Sequence, residues 1–162
     1  MKVIVLDTNN IDIYIFKGYN LSKLGKYSET IQEYDKAIAL DENYTYALVN
    51  KGNAIYNRSQ YGEAINYSDK ALNITPDNLP IISNKGLTLV DHEDYDQAID
   101  LAENYLDENP ENKGLLCVVK NAYEKSNNLS LAGYYKEILL ELDPNYGCEL
   151  DQILRVEKEA FI

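Results

Sequence analysis

The chain has 162 residues, enough for one domain with a buried core and a squeeze for two. Hydrophobic residues make up 45% and charged residues 26%, a globular composition and not a disordered one. The formal net charge of −12 at pH 7 excludes non-specific binding to nucleic acid or to an anionic membrane, both of which need clustered Lys and Arg, and it would draw in a basic partner.

Residues 1–10 begin Met-Lys-Val-Ile-Val-Leu-Asp, with four apolar residues before an acid. That run is too short for a signal-peptide core, and no stretch of 18 apolar residues occurs anywhere, so a cytoplasmic protein without a membrane span is expected. The segment reads as an extended or capping piece whose apolar side chains pack on the first helical pair, with Asn9 or Asn10 capping the helix that follows. An apolar strand with a bare edge also offers a route to homo-oligomers by pairing with a second copy.

From residue 11 to residue 146 the sequence matches itself at a shift of 34 residues without a gap. One column holds Gly18, Gly52, Gly86 and Lys120; another Tyr27, Tyr61, Tyr95 and Leu129; a third Thr30, Ala64, Ala98 and Ala132; a fourth Ala37, Ala71, Tyr105 and Leu139. Each unit closes on Glu42, Pro76, Pro110 or Pro144, which gives four units over 11–44, 45–78, 79–112 and 113–146. Within each, apolar residues recur at spacings of three and four in two stretches divided by a polar break such as Asn57-Arg58-Ser59-Gln60. The pattern predicts helical hairpins, with first helices near 11–23, 45–57, 79–91 and 113–125 and second helices near 27–41, 61–74, 95–108 and 129–142. Pro80 fits a first helical turn, and the closing prolines stop the helices before them. Small residues in the Gly and Ala columns let neighbouring helices approach. Lys17, Lys51 and Lys85, beside the glycines, are expected to lay their stems along a neighbour and send their charge to water.

Ala47-x-x-x-x-Gly52, Tyr61-x-x-Ala64-Ile65, Lys70-Ala71-Leu72 and Pro76-Asp77-Asn78 resemble the tetratricopeptide repeat. The resemblance covers about four fifths of the chain and implies an all-α, right-handed solenoid of four helix-turn-helix hairpins. It further implies that the first helices line a concave groove for a peptide or a partner helix. Lys120, Leu139 and Tyr105 depart from the usual small residues, so packing in the second half is expected to be looser or differently shaped. Residues 147–162, with Leu150, Ile153, Leu154 and Phe161 near one helical face, read as an amphipathic helix that caps the stack.

Catalytic chemistry finds little support. Gly25-Lys26-Tyr27 lacks the compact hydroxyl of a phosphate-binding loop, and the upstream glycine such a loop requires is Asn20. No twelve-residue frame in the acidic stretch has the ligand pattern of a calcium loop. His92 is the one histidine and activates no nucleophile, and Cys117 and Cys148 have no CxxC spacing, so neither a zinc site nor a disulfide framework is expected. Val3-Ile4-Val5-Leu6-Asp7-Thr8-Asn9 resembles the first strand of PIN-type nucleases, in which such an Asp helps hold a metal. That chemistry needs further acids on an α/β sheet, whereas everything after residue 10 is committed to hairpins. The expectation is a non-catalytic interaction scaffold with no cofactor or metal.

The groove stripe of the first helices comprises Ile15 and Tyr19; Tyr46, Val49, Asn50, Asn53 and Tyr56; Ser83, Asn84, Leu87 and Val90; and Cys117 and Asn121. Its amides can grip the backbone of an extended peptide while Tyr and Leu take the side chains. Asn50 and Asn84 also match the central column of the clamp with which some tetratricopeptide domains hold a chaperone tail. The basic columns of that clamp carry Ile15, Val49, Pro80 and Gly114, so an acidic tail is not the expected ligand. A run of acids without a Lys or Arg, Asp91, Glu93, Asp94, Asp96, Asp100, Glu103, Asp107, Glu108 and Glu111, reads either as a solvated face or as a steering patch for a basic protein or peptide. The alternative to groove binding is architectural self-association through the N-terminal strand or the C-terminal helix.

Overall fold

The computed structural model describes residues 10–148. The expected N-terminal strand with Asp7, and the capping helix beyond Cys148, lie outside the described residues. Among those described there are eight α-helices and no strand: α1 (Ile11–Lys23), α2 (Tyr27–Leu40), α3 (Thr45–Tyr56), α4 (Tyr61–Ile74), α5 (Leu79–Asp91), α6 (Tyr95–Leu106), α7 (Lys113–Lys125) and α8 (Leu129–Leu142). All begin and end within two residues of the positions expected from periodicity. The fold is an all-α solenoid of helical hairpins.

Side chains that the repeat columns leave variable do consistent work at the helix ends. The Oδ1 of Asn10, Asn78, Asn112 and Asn128 accept from the backbone N–H groups of Asp12, Ile81, Leu115 and Leu131, satisfying donors that the first helical turn leaves open. Pro80 sits in the first turn of α5, where no N–H is needed. The breaks inside the hairpins share one backbone solution at a 34-residue interval. Gly25, Ser59, Glu93 and Asn127 all have positive φ, at 71°, 59°, 68° and 66°. Beside each, the next N–H reaches back to a carbonyl five residues earlier: Lys26 to Leu21, Gln60 to Ile55, Asp94 to Leu89 and Asn128 to Tyr123. This is the Schellman ending, and it turns the chain sharply into the second helix. Only the first hairpin has the residue suited to it. Glu93→Gly is therefore expected to raise stability by about 1 kcal/mol, measured by urea unfolding, because a side chain in the left-handed region costs about that much. An unchanged or lowered midpoint would contradict the strain.

The helices gather into two compact units, one ending at Ile74 and one beginning at Thr75. In the first, α1 packs on α2, α2 on α3 and α3 on α4. Tyr34, Ala37 and Ala47 form its buried centre, with Ile11, Tyr14, Ile15, Ile38 and Tyr44 packed around them. Gly18 lies against the Tyr34 ring so closely that a Cβ there would fall 2.9 Å from it. Burial pushes the Tyr34 hydroxyl pKa far above the usual phenol range.

In the second unit α5 packs on α6 and α7, α6 on α7, and α7 on α8. α5 is buried through Ile81–Asn84 and again through Gly86–Val90, and α7 through Leu115–Val119. Gly86 admits Val118 of α7, and Gly114 admits Ser83 of α5. The atypical residues of this half find their own places. Leu139 is buried with Leu116 and Cys117, where the earlier units have Ala37 and Ala71, and Lys120 pairs with Glu124 one turn on at 2.6 Å.

Candidate functional site

The stripe expected to bind a ligand divides by burial. In the first unit, Ile15 and Tyr19 on α1 and Tyr46, Asn50, Asn53 and Tyr56 on α3 are half-buried, while Val49 is buried. In the second unit, Ser83, Asn84, Leu87 and Val90 on α5 and Cys117 on α7 are buried, and Asn121 is half-buried. The reason on α5 is visible at Gly114: with no side chain of its own it lets α7 close over Ser83, so a position that periodicity places on an open face becomes part of the core. Six of the thirteen stripe residues are thus inside the protein, and those with accessible surface lie mostly on α1 and α3.

The amides are not equivalent. Asn50 donates Nδ2–H to the Tyr46 carbonyl at 2.8 Å, so half of its expected grip is already spent inside α3. The Nδ2 of Asn53 and the Oδ1 of Asn84 are buried without a hydrogen-bond partner. A buried amide group in that condition is costly until something supplies its partner. The tyrosines flank the amides of α3: Tyr46 lies 6.5 Å from the Tyr44 ring and Tyr56 5.3 Å from Tyr61, both tilted. On α1, Lys23 stands over the Tyr19 ring at 5.4 Å.

The lysines beside the glycines do not send their charge to water. The Lys51 side chain is only 10% exposed; its ammonium pairs with Asp35 of α2 and donates to the Tyr67 hydroxyl of α4 at 2.5 Å, lying over the Tyr67 ring. Burial pulls its pKa down, but the hydrogen bonds to Asp35 and Tyr67 outweigh that and hold it above the usual lysine value. It therefore ties three helices together. Lys17, more exposed, donates to Glu33 at 2.7 Å, and Lys36 reaches the same Oε1 at 2.9 Å. Burial raises the Glu33 pKa, and the two ammonium groups outweigh it, leaving the carboxyl below its ordinary 4.5. A depressed acid contributes its full stability above the unfolded value and loses it as pH falls through the folded value. Glu33→Gln is accordingly expected to cost about 1–3 kcal/mol at pH 7 and to flatten the loss of stability below pH 4.5. Urea titrations at pH 7 and pH 3 check this, and an equal loss at both would contradict it.

The acidic run is less uniform than its sequence. Asp91 accepts from Lys125 at 2.7 Å, and Asp94 lies 3.8 Å from His92. Glu103 accepts from Tyr123 at 2.9 Å and Tyr135 at 3.3 Å, whose rings stack. Burial and the Glu103 charge push the Tyr135 hydroxyl up to about 12. The remaining members, Glu93, Asp96, Asp100, Asp107, Glu108 and Glu111, are exposed.

The cysteines depart from expectation outright. Cys117 and Cys148 form a disulfide across 31 residues. Spacing rules detect local pairs, whereas here the turn after Asp143 returns the chain to α7. No group of three or more His, Cys, Asp or Glu among the described residues is placed to hold a metal ion. No helix among them is long and apolar enough to cross a membrane.

Hairpins whose first helices pack through glycines, and whose turns repeat at 34 residues, define a class of protein built from tetratricopeptide repeats. Residues 11–44 match the family model of the tetratricopeptide repeat. The chain superposes on MamA 41-end from Desulfovibrio magneticus RS-1 with a TM-score of 0.74 at 20% identity, covering 86% of this chain and 78% of that one. It also superposes on MamA MSR-1 C2 with a TM-score of 0.66 at 23% identity, over 93% and 86% of the two chains. A third likeness is to YrrB, described as a tetratricopeptide-repeat protein with an unusual peptide-binding site, with a TM-score of 0.69 at 22% identity over 85% and 71%. No curated protein matches the sequence. By fold, and by the match of its first unit, the chain is a tetratricopeptide-repeat protein.

Proposed function

We propose that the protein is a non-catalytic, cytoplasmic interaction scaffold that binds an extended peptide of another protein along the first helices of its hairpins. Ile15, Tyr19, Tyr46, Asn50, Asn53 and Tyr56 form the main contact surface. The observation that carries the reading is the α3 stripe: half-buried tyrosines flank two amides, and one of these, Asn53, has a buried donor that the chain leaves unanswered. An extended backbone has the carbonyl that such a donor needs, and the rings supply the apolar contact. A peptide-binding site is named for YrrB, which has the same fold, and this supports the class of ligand. The exposed acids of the second unit favour a basic partner through long-range attraction, which brings it faster and holds it less well as salt rises.

Selection from a displayed peptide library tests both parts. The wild type is expected to enrich a consensus, and an Asn53→Ala, Tyr56→Ala double variant is expected to bind the enriched peptide at least tenfold more weakly. Retention of the peptide by that variant would move the surface elsewhere. Affinity that stays constant between low and high salt would remove the basic partner.

Self-association is the second reading, favoured by apolar side chains on the open side of α8, where Leu129, Tyr134 and Leu140 are 65%, 57% and 48% exposed. A mass that rises with concentration in sedimentation equilibrium would support it, and a constant monomer mass would contradict it.

A further inference from the structure

We propose that the Cys117–Cys148 disulfide is a thiol-gated latch: oxidised, it holds the chain after α8 over the α7 end of the recognition stripe, and reduced, it lets that end open. The control of binding rests on the proposed role of the stripe, to which Cys117 and Asn121 belong; the latch itself rests on the geometry alone.

Residues 143–148 leave α8, turn through the Tyr146 N–H to Asp143 carbonyl bond, and return to α7. Apart from the disulfide, the polar contacts holding them there are few. Lys113 pairs with Asp143 at 3.0 Å, but both side chains are more than a third exposed, a setting in which ion pairs contribute little. The same ammonium stands over the Tyr146 ring at 4.6 Å. The Asn121 Nδ2 donates to the Cys148 carbonyl at 3.4 Å, the long edge of a hydrogen bond. Tyr146 and Cys148 pack at the margin of the Leu116, Cys117 and Leu139 cluster and are only half-buried. The covalent bond is the dominant tether, so its loss changes the state of this segment more than loss of any other contact described.

The two sulfurs also differ in access. Cys117 is wholly buried, whereas Cys148 is half-buried. A dithiol reductant therefore attacks the Sγ of Cys148. The S–S bond breaks, and Cys117 leaves as a thiolate and takes up a proton. The second thiol of the reductant then attacks the mixed disulfide, releases Cys148 as a thiol and closes the reductant's own disulfide. Two electrons and two protons pass to the protein in all. Once open, the segment no longer engages the Asn121 amide or covers Cys117, and a peptide lying on α7 gains both.

The full chain, equilibrated in glutathione buffers from fully oxidised to an excess of reduced glutathione and then trapped by alkylation, gives the state of the bond, and hydrogen exchange gives the state of the segment. The proposal expects reduction within that range, at least tenfold faster exchange in residues 144–148, and unchanged exchange in α1–α4. A bond that stays closed in excess reduced glutathione, or exchange that is the same in both states, overturns the latch in favour of a permanent staple. Cys148→Ser, which opens the latch without reductant, should reproduce the reduced exchange pattern and bind the library-selected peptide at least tenfold tighter than the oxidised wild type. Equal affinity in the open and closed forms, with exchange changed as expected, overturns the gating of binding. Absence of any selected peptide in both forms counts against the stripe itself, and the exchange data then decide the latch alone.

Discussion

Reduction of the Cys117–Cys148 bond, or its removal in a Cys117→Ala, Cys148→Ala variant, is expected to lower the unfolding free energy of the second unit by about 3–4 kcal/mol. The bond closes a loop across 31 residues, from α7 through α8 to the turn beyond it. In the chain-entropy account a loop of that length restricts the unfolded chain by about that amount at 25 °C. The native state gains packing as well, since Cys117 shares a cluster with Leu116 and Leu139. Urea unfolding with and without reductant measures the difference. The alanine variant must be insensitive to reductant, which separates the loss of the cross-link from any effect of reductant on the rest of the chain. A loss below about 1 kcal/mol would show that the loop is already ordered without its cross-link.

Gly86→Ala is expected to destabilise the second unit by about 2–3 kcal/mol, although alanine is the better helix former by about 1 kcal/mol. The added methyl would stand 2.7 Å from both Cγ atoms of Val118, closer than carbon atoms approach in a packed core. Val118 is fully buried and β-branched, and in a helix it has essentially one rotamer, so it cannot swing aside. α5 and α7 must separate instead, which loosens the Ile82 and Leu115 packing that both helices bury. Two controls isolate the cause. Val118→Ala in the same chain should recover part of the Gly86→Ala loss, making the pair strongly non-additive. Gly133→Ala, at an α8 position where an added Cβ meets nothing within 4 Å, should stabilise the chain by about 0.5–1 kcal/mol. Additive single changes would mean that the methyl and Val118 never meet.

The helices were legible because their signals are local. Apolar spacing, Asn before a first turn and Pro after a last one act within a few residues, and the helix ends follow them. The glycine column was legible for the same reason, since a missing side chain repeated at 34 residues has few other uses. The left-handed column was not, because Gly25, Ser59, Glu93 and Asn127 share a backbone angle and no side-chain chemistry. Nor was the fate of the binding stripe, which depends on how closely α7 approaches α5 over Gly114. Lys51 misleads for a related reason: its long stem suits a surface, yet Asp35 and Tyr67 from two other helices arrive to receive its charge. The disulfide joins residues that only the finished turn after α8 brings together.

The functional account stands on the α1 and α3 stripe as the surface that meets a partner. Side-chain amide and aromatic chemical shifts, recorded as the library-selected peptide is titrated into the full chain, test it most directly. The account predicts the largest changes at the Asn50 and Asn53 side-chain amides and at the rings of Tyr19, Tyr46 and Tyr56. Changes confined to Leu131, Tyr134 and their neighbours on α8, with the α3 amides unmoved, would contradict it.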